Sequence, residues 1–152
     1  KKLTAKKRQV LNDSLLECAD VSIAHASVEE IDDLNILRAS HLAMERAVAG
    51  LKQQPDHLLI DGNMIPRVLT LSSETIVKGD ARSVSISAAS IVAKICRDYV
   101  MWSLAQHYPG YGWETNAGYP SKSHKDALVK LGVTPHHRRS FKPVHNILYQ
   151  EK

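Results

Sequence analysis

Two aspartates, each next to a glycine, are the residues of this sequence most suited to chemistry. Asp61 and Gly62 follow an apolar run at 58–60, and Asp80 follows Gly79 at the end of a more polar segment. An Asp-Gly step after an apolar strand places a carboxylate at the carboxyl end of that strand, where α/β folds open their ligand crevices. A plain turn at Asp61, and a cap or first-turn acid at Asp80, are the alternatives.

Paired carboxylates indicate a magnesium site, because Mg²⁺ prefers oxygen ligands and retains waters and substrate phosphate in its shell. Two such ions roughly 4 Å apart can activate a water and stabilise the leaving oxygen of a phosphodiester. Such a site usually needs further carboxylates beyond a pair. Asp98 is a weaker third candidate, since the adjacent Arg97 favours a local ion pair.

Two further features suit contact with a nucleic acid. Ser87, Ser90 and Lys94 fall on one face of a helix of small residues and could reach phosphates. Tight packing is the favoured explanation of the small residues themselves. Tyr119 lies between Gly118 and Pro120 in a turn-rich segment. An exposed tyrosine can stack on a sugar or base, and a tyrosine covering the edge of the core is the alternative.

The charge distribution permits a polyanionic partner. The net charge is +4. Residues 122–142 include nine Lys, Arg or His residues and a single acid, Asp126. A solvated basic surface is the alternative. A zinc site is disfavoured, because the adjacent His136 and His137 rarely bind one ion and no cysteine spacing of the zinc type occurs. Cys18 and Cys96 are expected to be buried thiols in a reducing cytosol.

The elements that must position these residues alternate between helix and strand. We predict helices at 5–18, from Val28, at 85–107, at 122–131 and at 143–149, and strands at 21–26, 57–60 and 70–77. This alternation predicts one α/β domain over residues 1–152. The apolar helix faces include Val10, Leu11, Tyr99 and Trp102, and the face that carries Leu37 is expected to be buried.

No apolar run approaches membrane-spanning length and no signal peptide is visible, so we expect a cytoplasmic protein without a membrane partner. We also expect a monomer. The chain opens Lys1-Lys2 without an initiator methionine. We therefore expect that it begins inside a longer protein.

Nearly the whole chain resembles bacterial ribonuclease HII. The matching stretches lie at 1–3, 30–37, 60–62, 77–80, 86–98, 118–124 and 136–141. The resemblance implies a ribonuclease H-like α/β fold, a mixed sheet flanked by helices, with the N-terminal strands missing from this chain. The 152 residues would then be the C-terminal three-quarters of the catalytic domain.

The resemblance also implies an endonuclease that cuts the RNA strand of RNA–DNA hybrids, and cuts 5′ to single ribonucleotides in duplex DNA, with Mg²⁺ or Mn²⁺. Asp61 and Asp80 match the third and fourth metal-binding carboxylates of a two-ion site. Tyr119 matches the tyrosine that stacks beneath the sugar at the junction. The residues expected to contact phosphate are Lys1, Lys2, Lys94, Lys122, His124, Arg138 and Arg139.

One departure from the family pattern is large. The Asp-Glu-x-Gly-Arg-Gly motif, which carries the first two metal ligands, occurs nowhere in the chain. A second hypothesis follows, that the 152 residues by themselves are catalytically incomplete and at most bind nucleic acid. An unrelated metabolic α/β enzyme is disfavoured, because no phosphate loop or cofactor motif is present.

Overall fold

The computed structural model describes residues 3–149. Its helices are α1 (Ala5–Cys18), α2 (Val28–Leu34), α3 (Ile36–Ala49), α4 (Val84–His107), α5 (Trp113–Asn116), α6 (Lys122–Leu131) and α7 (Lys142–Tyr149). A 3₁₀ turn covers Gly79–Ala81. Strands β1 (Leu58–Asp61) and β2 (Ser73–Ile76) pair in parallel, with Asp61 opposite Ile76. The α/β class is confirmed, and the sheet has two strands within the described residues.

Local capping explains why several helices begin where the sequence predicts. The Thr4 hydroxyl accepts a hydrogen bond from the Lys7 N–H at the start of α1. Ser27 and Glu30 form a reciprocal capping box at α2, and Ser121 caps α6 by accepting from the His124 N–H. A side-chain oxygen at the cap satisfies a backbone donor that the first turn leaves unpaired.

Two predicted elements are wrong. The alternating segment 21–26 is not a strand, because no described strand pairs with it, and alternation by itself supplies no pairing partner. The helix predicted from Val28 is interrupted at Asn35, which has φ 70°. The Asn35 side chain then accepts hydrogen bonds from the Leu37 and Arg38 N–H groups, so this residue separates α2 from α3.

Burial also departs from the helix patterns. Val10, Leu11, Leu37, Tyr99 and Trp102 are all exposed, as is Cys18, whereas Cys96 is half-buried. Periodicity identifies the apolar face of a helix, but burial needs a second surface against that face. None of the described helices is both long enough and apolar enough to cross a lipid bilayer.

The chain divides into two compact units, and this division leaves the single-domain prediction untested. The sheet unit comprises 3–25 and 40–95 of the described residues, and its buried apolar side chains are Ile60, Pro66, Ile86 and Val92. The helical unit comprises 26–39 and 96–149. Its core consists of Met101, Ala105, Tyr111, Trp113 and Ala127.

Candidate metal centre and nucleic-acid interface

The parallel pairing of β1 and β2 brings Asp61 next to the turn that contains Asp80 in the sheet unit. Parallel strands end at the same edge, and the Gly62 N–H donates to the Ile76 carbonyl at 3.1 Å just past the last residue pair. Lys78 then adopts a left-handed conformation with φ 57°, which turns the chain sharply into the 3₁₀ turn. Asp80 lies in that turn, next to the end of β1 where Asp61 lies.

A backbone hydrogen bond holds the Asp61 carboxylate against this turn. The Gly79 N–H donates to Asp61 Oδ1 at 2.8 Å. A Cβ at Gly79 would lie 2.5 Å from Ile86 Cδ1 and 3.3 Å from Asp61 Oδ1. Glycine therefore permits the backbone to approach the carboxylate and the core at once, which explains the Gly-Asp order at 79–80.

Asp61 and Asp80 meet part of the ligand requirement of a divalent cation. Asp61 and Asp80 are both exposed, and the hydrogen bond from Gly79 engages one Asp61 oxygen only. Hard oxygen ligands of this kind suit Mg²⁺ and Mn²⁺. Within residues 3–149, no group of three or more His, Cys, Asp or Glu side chains is arranged to hold a metal ion. The described chain thus offers a pair of ligands, and their metal-binding role stays a prediction.

On the small-residue face of α4, Lys94 and Ser90 have different surroundings. Lys94 is half-buried in the sheet-unit part of α4. The Ser90 hydroxyl donates to the Ser87 carbonyl at 2.8 Å, so this serine satisfies its own helix backbone. Phosphate contact by Lys94 remains a prediction.

In the helical unit, Tyr119 is held in an exposed position by a tight turn. Asn116 Oδ1 accepts from the Gly118 N–H, and the Asn116 carbonyl accepts from the Tyr119 N–H, both at 2.8 Å. Gly118 has φ 79°, which a residue with a side chain rarely adopts. Tyr119 is 66% exposed, so its ring is accessible to a partner. The stacking role of Tyr119 stays a prediction.

Arg97 is a neighbour of this turn that the sequence patterns missed. A Cβ on Gly118 would lie 3.3 Å from Arg97 Nη2, which places the guanidinium against the turn. Desolvation lowers the pKa of Arg97, the nearby charge of Arg138 lowers it further, and Tyr119 and Asp98 act in the opposite direction. The Arg97-Asp98 sequence suggested a purely local ion pair, and nothing in it indicated Arg138. We call Arg97, Tyr119 and Arg138 the basic–aromatic cluster.

The two predicted arginines lie in a well-anchored segment. The Arg138 guanidinium lies 4.5 Å from the centroid of the Phe141 ring, within the range of a cation–π contact. The backbone N–H of Arg139 donates to an oxygen of Asp32 at 2.8 Å. Arg139 is exposed and Arg138 is half-buried, whereas Lys122 is exposed at the start of α6.

His124 has a different environment from the one expected of a phosphate contact. It is 5% exposed and its Nδ1 lies 3.2 Å from the Tyr111 carbonyl. Its ring stacks near that of the buried His137, with centroids 5.5 Å apart. This burial favours a structural role for His124 over contact with substrate. The predicted contacts of Lys1 and Lys2 lie outside the described residues.

The family model and the curated relatives that match this chain name the same family. The ribonuclease HII family model matches residues 1–144. The chain is 68% identical over 151 residues to ribonuclease HII of Ruegeria sp. strain TM1040 and 70% identical to that of Ruegeria pomeroyi. Both alignments cover 99% of this chain, but only 66% and 64% of those relatives. The chain is also 63% identical to ribonuclease HII of Roseobacter denitrificans, covering 77% of that protein.

A solved structure supports the fold. The crystal structure of the ribonuclease H2 from Pyrococcus horikoshii OT3 matches with a TM-score of 0.79 at 24% identity. The match covers 96% of this chain and 77% of that one. The predicted ribonuclease H-like fold is confirmed, as is the resemblance to the family.

Proposed function

Because this chain belongs to the ribonuclease HII family, we propose that the protein containing it is an endonuclease acting on RNA joined to or paired with DNA. It cuts the RNA strand of RNA–DNA hybrids and cuts 5′ to single ribonucleotides in duplex DNA. The products carry 3′-OH and 5′-phosphate ends. The chain spans about two thirds of the length of its Ruegeria relatives, of which it covers 66% and 64%, so the proposal concerns the longer protein.

The observation that carries this proposal is the approach of Asp61 to the turn that contains Asp80. Under the proposal, Asp61 and Asp80 hold Mg²⁺ or Mn²⁺, with Gly79 fixing the orientation of Asp61 through its N–H. The ions, when bound, supply an activated water and stabilise the oxygen that leaves. A two-ion site usually needs more than two carboxylates, and no group of three or more metal-binding side chains occurs within residues 3–149.

The substrate contacts of the proposal belong to exposed or half-buried side chains. Tyr119 stacks beneath the sugar at the ribonucleotide, and the 2′-OH is the group that distinguishes RNA from DNA there. Arg138, Arg139, Lys122 and Lys94 contact phosphates. The proximity of two guanidinium groups in the basic–aromatic cluster supports this, because their mutual repulsion is relieved by an anion.

A second candidate function applies to the 152 residues alone. Within residues 3–149 Asp61 and Asp80 belong to no group of three or more metal-binding side chains, and this favours a chain that binds nucleic acid without cutting it. Both candidates share the basic–aromatic cluster and differ in whether the phosphodiester is hydrolysed.

One assay tests both candidate functions. The whole protein and the 152-residue chain are each incubated with a labelled duplex bearing one ribonucleotide, an RNA–DNA hybrid and an all-DNA duplex. The whole protein should cut the first two substrates when Mg²⁺ or Mn²⁺ is added and none when EDTA is present. The chain alone should shift the hybrid in a gel without cutting it. Failure of the whole protein to cut either RNA-containing substrate would contradict the proposal, and cutting by the chain alone would contradict the second candidate.

Replacing Tyr119 tests the stacking role. Stacking on an aromatic ring contributes about 1–3 kcal/mol per base, so Tyr119→Ala in the whole protein should lower kcat/KM about tenfold or more on the single-ribonucleotide duplex. Tyr119→Phe retains the ring and should stay within about threefold of wild type on the same grounds. Equal losses in the two variants would show that the hydroxyl, and not the ring, is what matters.

A further inference from the structure

We propose that Asp32 is a positioning residue for nucleic-acid binding, which fixes the backbone of residues 138–140 so that Arg138 and Arg139 meet substrate phosphates. This inference rests on the proposed function. It concerns a carboxylate that is separate from Asp61 and Asp80 and to which the sequence patterns assign no role.

Three hydrogen bonds join Asp32 to a segment more than one hundred residues away. The Arg139 N–H donates to Asp32 Oδ2 at 2.8 Å, and the Ser140 N–H donates to Oδ1 at 2.9 Å. The Ser140 hydroxyl also donates to Oδ1. Both carboxylate oxygens are therefore engaged by the same short stretch of chain, and we call these three hydrogen bonds the Asp32 clamp. Hydrogen bonds to an ionised carboxylate are stronger than those between neutral groups.

The charge state of Asp32 agrees with this geometry. Burial by itself would raise the pKa of the carboxyl, but the hydrogen bonds from Ser140 and Arg139 and the nearby Arg138 charge outweigh it, so the pKa lies below its ordinary value of 3.8. Asp32 is thus a carboxylate at neutral pH. It lies in α2, whose start is secured by the capping box of Ser27 and Glu30.

The Asp32 clamp acts on the backbone and leaves the arginine side chains to other partners. The Arg138 guanidinium lies over the Phe141 ring, and the Phe141 N–H donates to the Arg138 carbonyl at 3.2 Å. Arg139 and Ser140, the two clamped residues, lie between these partners in sequence. Asp32 therefore holds the backbone of the residues that directly follow Arg138 and that include Arg139.

A simple charge argument predicts the opposite effect, and this makes the inference testable. Removing a negative charge next to arginines should strengthen binding of a polyanion if only the net charge matters. If Asp32 positions the arginines, neutralising it should weaken binding. Asp33 is a matched control, since it is the next residue, is exposed and takes no part in the Asp32 clamp.

The experiment measures binding of the whole protein to a fluorescent RNA–DNA hybrid by anisotropy, in EDTA so that cleavage does not interfere. Removing one phosphate contact should weaken binding about tenfold near 0.1 M salt and reduce the slope of log K against log salt by about one. We expect this for Asp32→Asn and a smaller loss for Ser140→Ala. Asp33→Asn should bind as tightly as wild type or more tightly, with the same slope.

The outcomes separate the Asp32 clamp from the proposed function. A wild-type protein that cuts the hybrid, together with an Asp32→Asn variant that binds it like Asp33→Asn, would overturn the positioning role alone. A wild-type protein that neither binds nor cuts the hybrid would overturn both. If circular dichroism shows that Asp32→Asn is unfolded, Ser140→Ala becomes the test of the inference. Unchanged affinity and salt slope in Ser140→Ala would overturn it.

Discussion

Asp61→Asn and Asp80→Asn should each abolish most metal-dependent cleavage by the whole protein, with kcat lowered by at least about 100-fold. The asparagine at 61 can still accept the Gly79 N–H that Asp61 Oδ1 accepts at 2.8 Å, so the local fold persists while the charge is lost. Asp80 is exposed, so its replacement leaves no buried group unpaired. The loss should therefore be in chemistry and metal affinity and not in folding.

Asp56→Asn is the matched control, because Asp56 is an exposed acid of the same unit, just before β1. Its cleavage rate should equal that of wild type. Titration with Mn²⁺ by calorimetry gives an independent measurement, in which the Asp61 and Asp80 variants should bind the ion more weakly than the Asp56 variant does. Wild-type cleavage by both the Asp61 and the Asp80 variant would remove the chemical basis of the assignment.

Lowering the pH from 6.5 to 4 should destabilise the protein by about 3 kcal/mol through His137 alone. Burial lowers the pKa of His137 to about 4, and the neighbouring His124 adds to the shift while the Thr134 backbone opposes it. The unfolded chain, in which the pKa is near 6.5, binds more protons across this interval. Stability is therefore complete above pH 6.5, falls as the pH drops toward 4, and levels off below.

The geometry explains why protonation is unfavourable. His137 is 7% exposed, and its Nδ1 lies 3.1 Å from the Thr134 nitrogen and 2.8 Å from the Thr134 hydroxyl oxygen. Because the ring is buried, a charge on it loses most of its hydration. The second ring nitrogen, Nε2, is buried and has no hydrogen-bond partner within residues 3–149, so a proton there would be left unpaired.

Urea unfolding at a series of pH values measures the effect. His137→Gln retains an acceptor but does not titrate, so its unfolding free energy should vary less between pH 6.5 and 4 than that of wild type. His107→Gln, at an exposed histidine of α4, should keep the wild-type slope. Asp32 contributes little in this interval, because its pKa is lowered from 3.8 and its stabilising effect is lost mainly at lower pH. Equal slopes for His137→Gln and wild type would contradict the prediction.

Local chemistry explains which elements could be predicted from sequence. The helix at 122–131 begins at the Ser121 cap as expected, and the short apolar run before Asp61 is a strand. A cap or an apolar run acts on neighbours within a few residues, so it is visible in the sequence. Asn35 is the exception, because its left-handed conformation and double cap were not recognised as a break.

By itself the sequence determined the family, the α/β class, and the Asp-Gly and Gly-Asp steps that the parallel strands bring together. Only the tertiary structure decided that 21–26 has no strand partner among the described residues, that His124 is buried beside His137, and that Arg97 adjoins the Tyr119 turn. It also decided that Asp32 binds Ser140, 108 residues away. Capping and strand ends depend on adjacent residues, whereas burial and long-range contacts depend on which distant surfaces meet.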